Sequence, residues 1–163
     1  RVLIWKNAPD HWNQEPDLVL GQPDFKSNNP GKGLHQLNWP GNISTGNQVI
    51  ALADTENDRI LLWKSFPKYN GAPADLELSL PALTPKGSPK QYEWPWGVWT
   101  DGQRLAVVAT TGAAILFWNT LPTQAAQTPD YTISLQDFGT PRNISTDGKS
   151  FFFVGDHNAK VTG

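Results

Sequence analysis

Apolar residues in this chain come in short runs that are separated by polar segments rich in Gly, Pro, Asn and Asp. Residues 59–63 and 104–109 are examples, each with one arginine followed by an uninterrupted apolar run. Runs of this length predict β-strands, and the turn-forming residues between them predict tight connections. No long stretch shows the 3.6-residue spacing of an amphipathic helix, and Pro is too frequent for one. We therefore expect an all-β fold.

The predicted strands fall into groups of four. Residues 39–83 and 94–138 each hold one complete group, which predicts an antiparallel meander. Residues 1–25 supply the last two strands of an earlier group, and residues 141–163 begin a later one. Strands are expected at residues 1–6, 17–20, 40–45, 48–53, 59–63, 75–80, 104–109, 114–118, 130–135 and 151–154, and one opens at Pro95.

A fixed spacing between a tryptophan and an aspartate marks the third and fourth strands of each group. The aspartate follows the tryptophan by twelve residues in every copy, although the residues between them differ. The tryptophans are Trp5, Trp63 and Trp118, and the aspartates are Asp17, Asp75 and Asp130. Such internal repetition is the signature of a repeat architecture. We expect the three tryptophans to pack in the core between repeats, since aromatic side chains bury the largest area.

Four-stranded units at a spacing of roughly 45 to 60 residues predict the blades of a β-propeller. The chain holds about three blades, too few for four-stranded sheets to fill a ring. Lys160-Val161 corresponds to Arg1-Val2, so one strand start occurs at both ends of the sequence. We expect a piece of a larger ring, or half of a homodimeric one, with the other blades from the same protein or a second copy.

The chain resembles the NHL-repeat family of β-propellers in three segments. Residues 53–63, ADTENDRILLW, contain the Asp, the nearby Asn and the Arg that precede an apolar strand in that repeat. Residues 39–43 resemble its proline-led first strand, and residues 17–25, DLVLGQPDF, are similar to a segment of bacterial NHL-type proteins. The likeness is weaker at residues 110–114, which lack the Asp, Asn and Arg. The resemblance implies a propeller, typically six-bladed, in a family that mostly binds other molecules, and an extracellular or periplasmic location.

Composition narrows the classes of partner. The formal net charge is −2 with scattered basic residues, which argues against a nucleic-acid partner. No apolar run approaches the length of a membrane-spanning helix. The absence of cysteine excludes disulfides and thiolate metal sites. We expect a protein, peptide or glycan ligand, no nucleic-acid partner and no membrane span.

Asp54, Asn57 and Arg59 suit a structural network. The carboxylate is expected to accept hydrogen bonds across a tight linker, and the guanidinium to bridge blades. Trp39 and Trp94, each directly before a proline, are also interpreted as structural.

Two further tryptophans do not repeat between blades. Trp96 and Trp99 have Gly41 and Ser44 as counterparts in one repeat and Arg142 and Ser145 in another. A large ring where the other repeats carry small or polar groups predicts a ligand surface, and a locally rearranged core is the alternative. Side chains alternate along a strand, so at most one of the two faces a ligand unless a bulge intervenes.

Trp96 is the predicted ligand-contacting tryptophan, because it lies nearer the start of its strand and the loop face. Trp99 is expected at the interface between blades. Arg142, Asn143 and Asn42 complete the predicted binding set, since polar edges around a ring suit a peptide or sugar. The loops that link one blade to the next differ in length, and such loops on a rigid scaffold often carry recognition.

Two function classes follow. The first is a non-enzymatic binding propeller that recognises a protein, peptide or glycan through its loop face. The second is a metal-assisted lyase or hydrolase with its site in the central channel. No nucleophile elbow, HExxH motif or phosphate loop is present, and the three histidines share no spacing. We therefore assign no catalytic residue, no metal ligand and no cofactor.

Overall fold

The computed structural model describes residues 1–134, 139–149 and 152–157. Some residues named in the sequence analysis lie outside this part of the chain. They are residues 135–138, residue 151, and Asn158, Lys160 and Val161. The strands are β1 (Val2–Ile4), β2 (Leu18–Leu20), β3 (Pro40–Gly46), β4 (Val49–Asp54), β5 (Arg59–Trp63), β6 (Leu76–Ser79), β7 (Pro95–Thr100), β8 (Leu105–Ala109), β9 (Ala114–Trp118), β10 (Tyr131–Ser134), β11 (Thr140–Thr146) and β12 (Phe152–His157). A 3₁₀ turn, Thr55–Asn57, and one short helix, α1 (Leu80–Leu83), complete the elements.

The strands form four antiparallel sheets in chain order. Sheet I pairs β1 with β2, sheet II runs β3-β4-β5-β6, sheet III runs β7-β8-β9-β10, and sheet IV pairs β11 with β12. Sheets II and III are the two complete meanders that the sequence predicts, so the expectation of an all-β fold with four-stranded antiparallel sheets is confirmed.

Strand boundaries agree with the prediction to within a few residues, with two corrections. The first hairpin turns at Asn47 and Gln48, which both have positive φ (45° and 66°), one residue later than the expected turn at Gly46-Asn47. Two consecutive residues with positive φ match the right-handed twist of a hairpin. The fourth strand of sheet II, predicted at residues 75–80, ends at Ser79 instead of Leu80, and α1 follows it. Pro81 explains the change, because its missing N–H suits the first turn of a helix.

Apolar clusters fill the spaces between neighbouring sheets. Every residue of β4, β5, β8 and β9 is buried, because both faces of these strands are covered. This is why these strands carry apolar residues at consecutive positions and do not alternate, apart from Asp54 and Arg59, which pair with each other. Trp118 lies in the cluster between sheets II and III, and Trp63 in the cluster between sheets I and II. The predicted core role of Trp63 and Trp118 is confirmed, while Trp5 is half-buried.

The twelve-residue spacing closes the loop between the third and fourth strands. In sheet II, the Asp75 carboxylate accepts a hydrogen bond of 2.7 Å from the backbone N–H of Lys64, and the Trp63 indole donates one of 3.0 Å to the Ala72 carbonyl. The same two bonds recur in the loops that follow Trp5 and Trp118. The geometry that the three loops share requires the tryptophan and the aspartate at fixed positions, whereas the identity of the residues between them can vary.

The first strands of sheets II, III and IV lie side by side. The Thr55 hydroxyl donates a hydrogen bond of 2.7 Å to the Pro95 carbonyl, and Thr110 donates one of 2.6 Å to Pro141 in the next sheet. Gly97 permits the approach of β11, since a β-carbon there would lie 2.6 Å from the Arg142 carbonyl oxygen. These contacts place the starts of β3, β7 and β11 next to one another.

Candidate functional site

A β-bulge occurs at the same place in the first strand of sheets II, III and IV. The register shifts between Pro40 and Asn42, between Pro95 and Gly97, and between Pro141 and Asn143. The extra residues are therefore Gly41, Trp96 and Arg142. A bulge re-aims a side chain and breaks the two-residue alternation. The argument that Trp96 and Trp99 face opposite sides of a regular strand does not apply here, because the bulge lies at Trp96.

The three bulge residues form a line across the sheets. A β-carbon at Gly41 would lie 3.5 Å from Cε3 of Trp96. On the other side, the Arg142 guanidinium carbon lies 5.0 Å from the Trp96 ring centroid. That distance is within the range of a cation–π contact. Two of the predicted ligand-binding residues, Trp96 and Arg142, are thus in direct contact.

Trp39 also contacts Trp96, the middle residue of this line. Its ring centroid is 6.4 Å from that of Trp96, with an interplanar angle of 65°. This edge-to-face arrangement leaves Trp39 63% exposed. We call the three side chains the Trp39–Trp96–Arg142 row. It runs from an exposed indole, across a half-buried one, to an exposed guanidinium.

The structural interpretation of Trp39 and Trp94 is corrected by their exposure. Trp94 is 44% exposed, and both residues have left-handed backbone conformations, with φ of 51° for Trp39 and 53° for Trp94. Such a conformation costs a non-glycine residue roughly 1–3 kcal/mol and persists only where the surroundings enforce it. At Trp94, the backbone N–H donates a 2.8 Å hydrogen bond to the Asp58 carboxylate. The fold therefore holds two large rings at the surface and does not bury them.

Sequence reasoning missed Trp39, although one signal was available. The register pairs Pro141 with Asp156 as it pairs Pro40 with Asp54, so Thr140 is the counterpart of Trp39. A position that accepts a threonine in one sheet and a tryptophan in two others is not a fixed core position.

The other two predicted binding residues, Asn42 and Asn143, are not part of the Trp39–Trp96–Arg142 row. Asn42 is half-buried, and its side-chain oxygen accepts a 3.4 Å hydrogen bond from the backbone N–H of Val98. Asn143 follows Arg142 and is exposed. A cleft of about 130 Å³ lies between sheets I and II, and its lining includes Arg1, Gly41 and Asn42. Asn42 thus joins two first strands and borders this cleft.

Trp99 packs between sheets III and IV, as expected. Its ring meets that of Phe152 edge to face at 5.0 Å, and it lies against the apolar cluster that includes Ile144. The Arg104 guanidinium covers it at 5.3 Å. Trp96 differs, because its indole N–H is buried and has no hydrogen-bond partner among the residues that the structure describes.

The Asp54 and Arg59 network is buried and binds the chain itself. Arg59 is 2% exposed and donates to Asp54, to Glu77, and to the carbonyls of Lys32, Gly33 and Gln36. The expected hydrogen bonds to the carboxylate are present. The expectation that the guanidinium bridges blades is wrong, since it holds the link that leads into its own sheet.

No protein-family model matches the chain, and no curated protein matches it. Across residues 1–134, 139–149 and 152–157, no group of three or more His, Asp or Glu side chains is arranged to hold a metal ion. Within the same residues, no helix has the length and apolar character needed to cross a membrane.

Proposed function

We propose that this chain is part of an NHL-type β-propeller that acts as a non-enzymatic binding scaffold for a protein, peptide or glycan. The observation that carries the proposal is the Trp39–Trp96–Arg142 row. Exposed aromatic and arginine side chains are the groups most enriched in binding hot spots. Here they lie on one face, where the links from preceding sheets enter the first strands.

The scaffold beneath the row supports this role. Sheets II and III share a buried core, and the hydroxyls of Thr55 and Thr110, which follow the second strands of sheets II and III, each donate a hydrogen bond to the first strand of the next sheet. Side chains on such a framework need little ordering when a ligand binds, which favours affinity. The sheet order and adjacent first strands are also what successive blades of a propeller require.

The test screens labelled protein against a glycan array and a displayed peptide library. We compare the unmodified chain with Trp39→Ala and with Trp12→Ala, a control residue that is 96% exposed in the loop between β1 and β2. Ligands of the row should lose about tenfold or more in affinity with Trp39→Ala and keep their affinity with Trp12→Ala. Urea unfolding should show that both variants keep the stability of the parent, because both side chains are exposed. If no ligand depends on Trp39, the proposed function is wrong.

A further inference from the structure

The hydrogen-bonding state of Arg142 indicates what chemistry the row selects. The guanidinium lies over the Trp96 ring, yet among the described residues it makes no hydrogen bond and no ion pair. A guanidinium that stacks on a ring keeps its in-plane N–H donors available, and these match a carboxylate in a two-point contact. Within the described part of the chain, the N–H groups of the Arg142 side chain are therefore unpaired and can bind a carboxylate.

Three carboxylates in the described part of sheets II and IV and the turn after β4 have other hydrogen-bond partners. Asp54 is paired with Arg59, and Asp58 accepts the backbone N–H of Trp94. Asp156 accepts the backbone N–H groups of Gly139 and Thr140. Among the described residues, no carboxylate forms an ion pair with the Arg142 guanidinium, so its positive charge suits a ligand of opposite sign.

Trp39 supplies a flat apolar surface at the other side of Trp96. The apolar C–H face of a pyranose ring fits an exposed indole, while its hydroxyl groups reach polar side chains and water. Trp39 and Arg142 both lie against the same indole, so one ring separates them. A short oligosaccharide can therefore contact both.

Addition of an extended peptide along β7 is disfavoured by hydrogen bonds that this strand already makes. Peptides that add to a sheet edge need free backbone N–H groups there. In β7, the N–H of Val98 is bonded to Asn42 and the N–H of Thr100 is bonded to Ser44. This edge is already occupied by side chains of sheet II.

We infer that the row binds an acidic glycan, with a pyranose ring stacked on Trp39 and a sugar carboxylate paired with Arg142. This inference rests on the proposed binding function and deepens it. Loss of the carboxylate and loss of the guanidinium should then have the same effect, because they remove two halves of one contact.

The experiment is calorimetric titration of the whole chain with three probes. These are short uronate oligosaccharides (galacturonate, glucuronate and mannuronate), their methyl esters, and a hexaglutamate peptide. The variants are Arg142→Gln, Arg142→Lys and Trp39→Ala, with Lys68→Gln as a control that removes a cation from the exposed loop between β5 and β6.

At least one uronate oligosaccharide should bind, and its methyl ester should bind about tenfold or more weakly. Arg142→Gln should weaken the acid about tenfold and the ester by less than about twofold, since a charged hydrogen-bonded pair is lost only with the acid. Arg142→Lys should restore part of the loss. Trp39→Ala should weaken acid and ester alike, and Lys68→Gln should change neither.

Three outcomes would overturn the inference. No uronate binds, the acid and its ester bind equally, or the hexaglutamate peptide binds as well as the sugars and shows the same dependence on Arg142. If a neutral glycan or a peptide from the array still depends on Trp39, the proposed binding function stands and only the acidic-glycan inference fails.

Discussion

Arg59 donates a 2.8 Å hydrogen bond from Nε to Oδ2 of Asp54 at the start of β5, where the two side chains are only 3% and 0% exposed. The rest of the guanidinium binds carbonyls of the link that enters sheet II. Sheet III has alanines, Ala109 and Ala114, at the paired positions. There the buried ring of Tyr92 packs over Gly112. The link that enters sheet II is thus held by the Asp54–Arg59 ion pair, and the equivalent link that enters sheet III is held by the packing of Tyr92.

Replacing Arg59 with Met should lower the free energy of unfolding by about 3–5 kcal/mol, because it leaves the buried Asp54 carboxylate without its charged partner. Urea unfolding followed by circular dichroism measures the change.

Arg104→Met is the matched control for that variant. Arg104 also donates from Nε to an aspartate, Asp101, at 2.8 Å, but the two side chains are 42% and 33% exposed. A pair of this kind contributes less than about 1 kcal/mol, because water screens it. Equal losses in the two variants would mean that burial does not set the strength of the Asp54–Arg59 pair.

Truncating Trp63 to Ala should destabilise the fold by about 3–5 kcal/mol, since it removes a buried aromatic side chain from the core between sheets I and II. The Trp63 indole also loses its hydrogen bond to the Ala72 carbonyl. Chemical denaturation measures the loss, and Trp12→Ala should stay within about 0.5 kcal/mol. A loss below about 1 kcal/mol for Trp63→Ala would contradict the core role.

Gly46→Ala should destabilise the contact between the hairpins of sheets II and III. A β-carbon at Gly46 would lie 2.3 Å from the carbonyl carbon of Asp101, so one backbone must move. Such overpacking costs about 1–3 kcal/mol. Gly155→Ala is the control, because the nearest atom would be 3.5 Å away. Thermal melting should separate the two variants, and similar melting temperatures would show that the hairpins do not pack closely.

Asp101 should titrate below its ordinary pKa of 3.8. Burial alone would raise the pKa of Asp101, but hydrogen bonds from the backbone of Arg104 and Gln103 and from the Arg104 side chain outweigh it and lower the pKa. The carboxylate therefore stabilises the fold above about pH 4, and this contribution is lost as the pH falls through the lowered value. Carboxyl chemical shifts measured by NMR during acid titration report the midpoint. A midpoint at or above 3.8 would exclude these hydrogen bonds in solution.

Strand positions and the repeated spacing between tryptophan and aspartate could be predicted because they depend on residues close in sequence. The apolar runs at β5 and β9 coincide with the observed strands, and the spacing from Trp63 to Asp75 matches one hydrogen-bonded loop. The helix α1 was missed, since four residues give no periodic pattern. The candidate site could be predicted only in part. Trp96 stood out from its counterparts, but the bulge that aims it leaves no mark on the composition.

The sequence by itself determined the all-β class, the order of strands in each sheet, and the loop closure by tryptophan and aspartate. Local hydrogen bonds and the burial of short apolar runs are enough for these features. Only the tertiary structure decided that Trp39 is exposed, that the Arg142 guanidinium lies over the Trp96 ring, and that Arg59 holds a link instead of bridging sheets. Those contacts join residues more than twenty positions apart, and the packing of one sheet on the next brings them together.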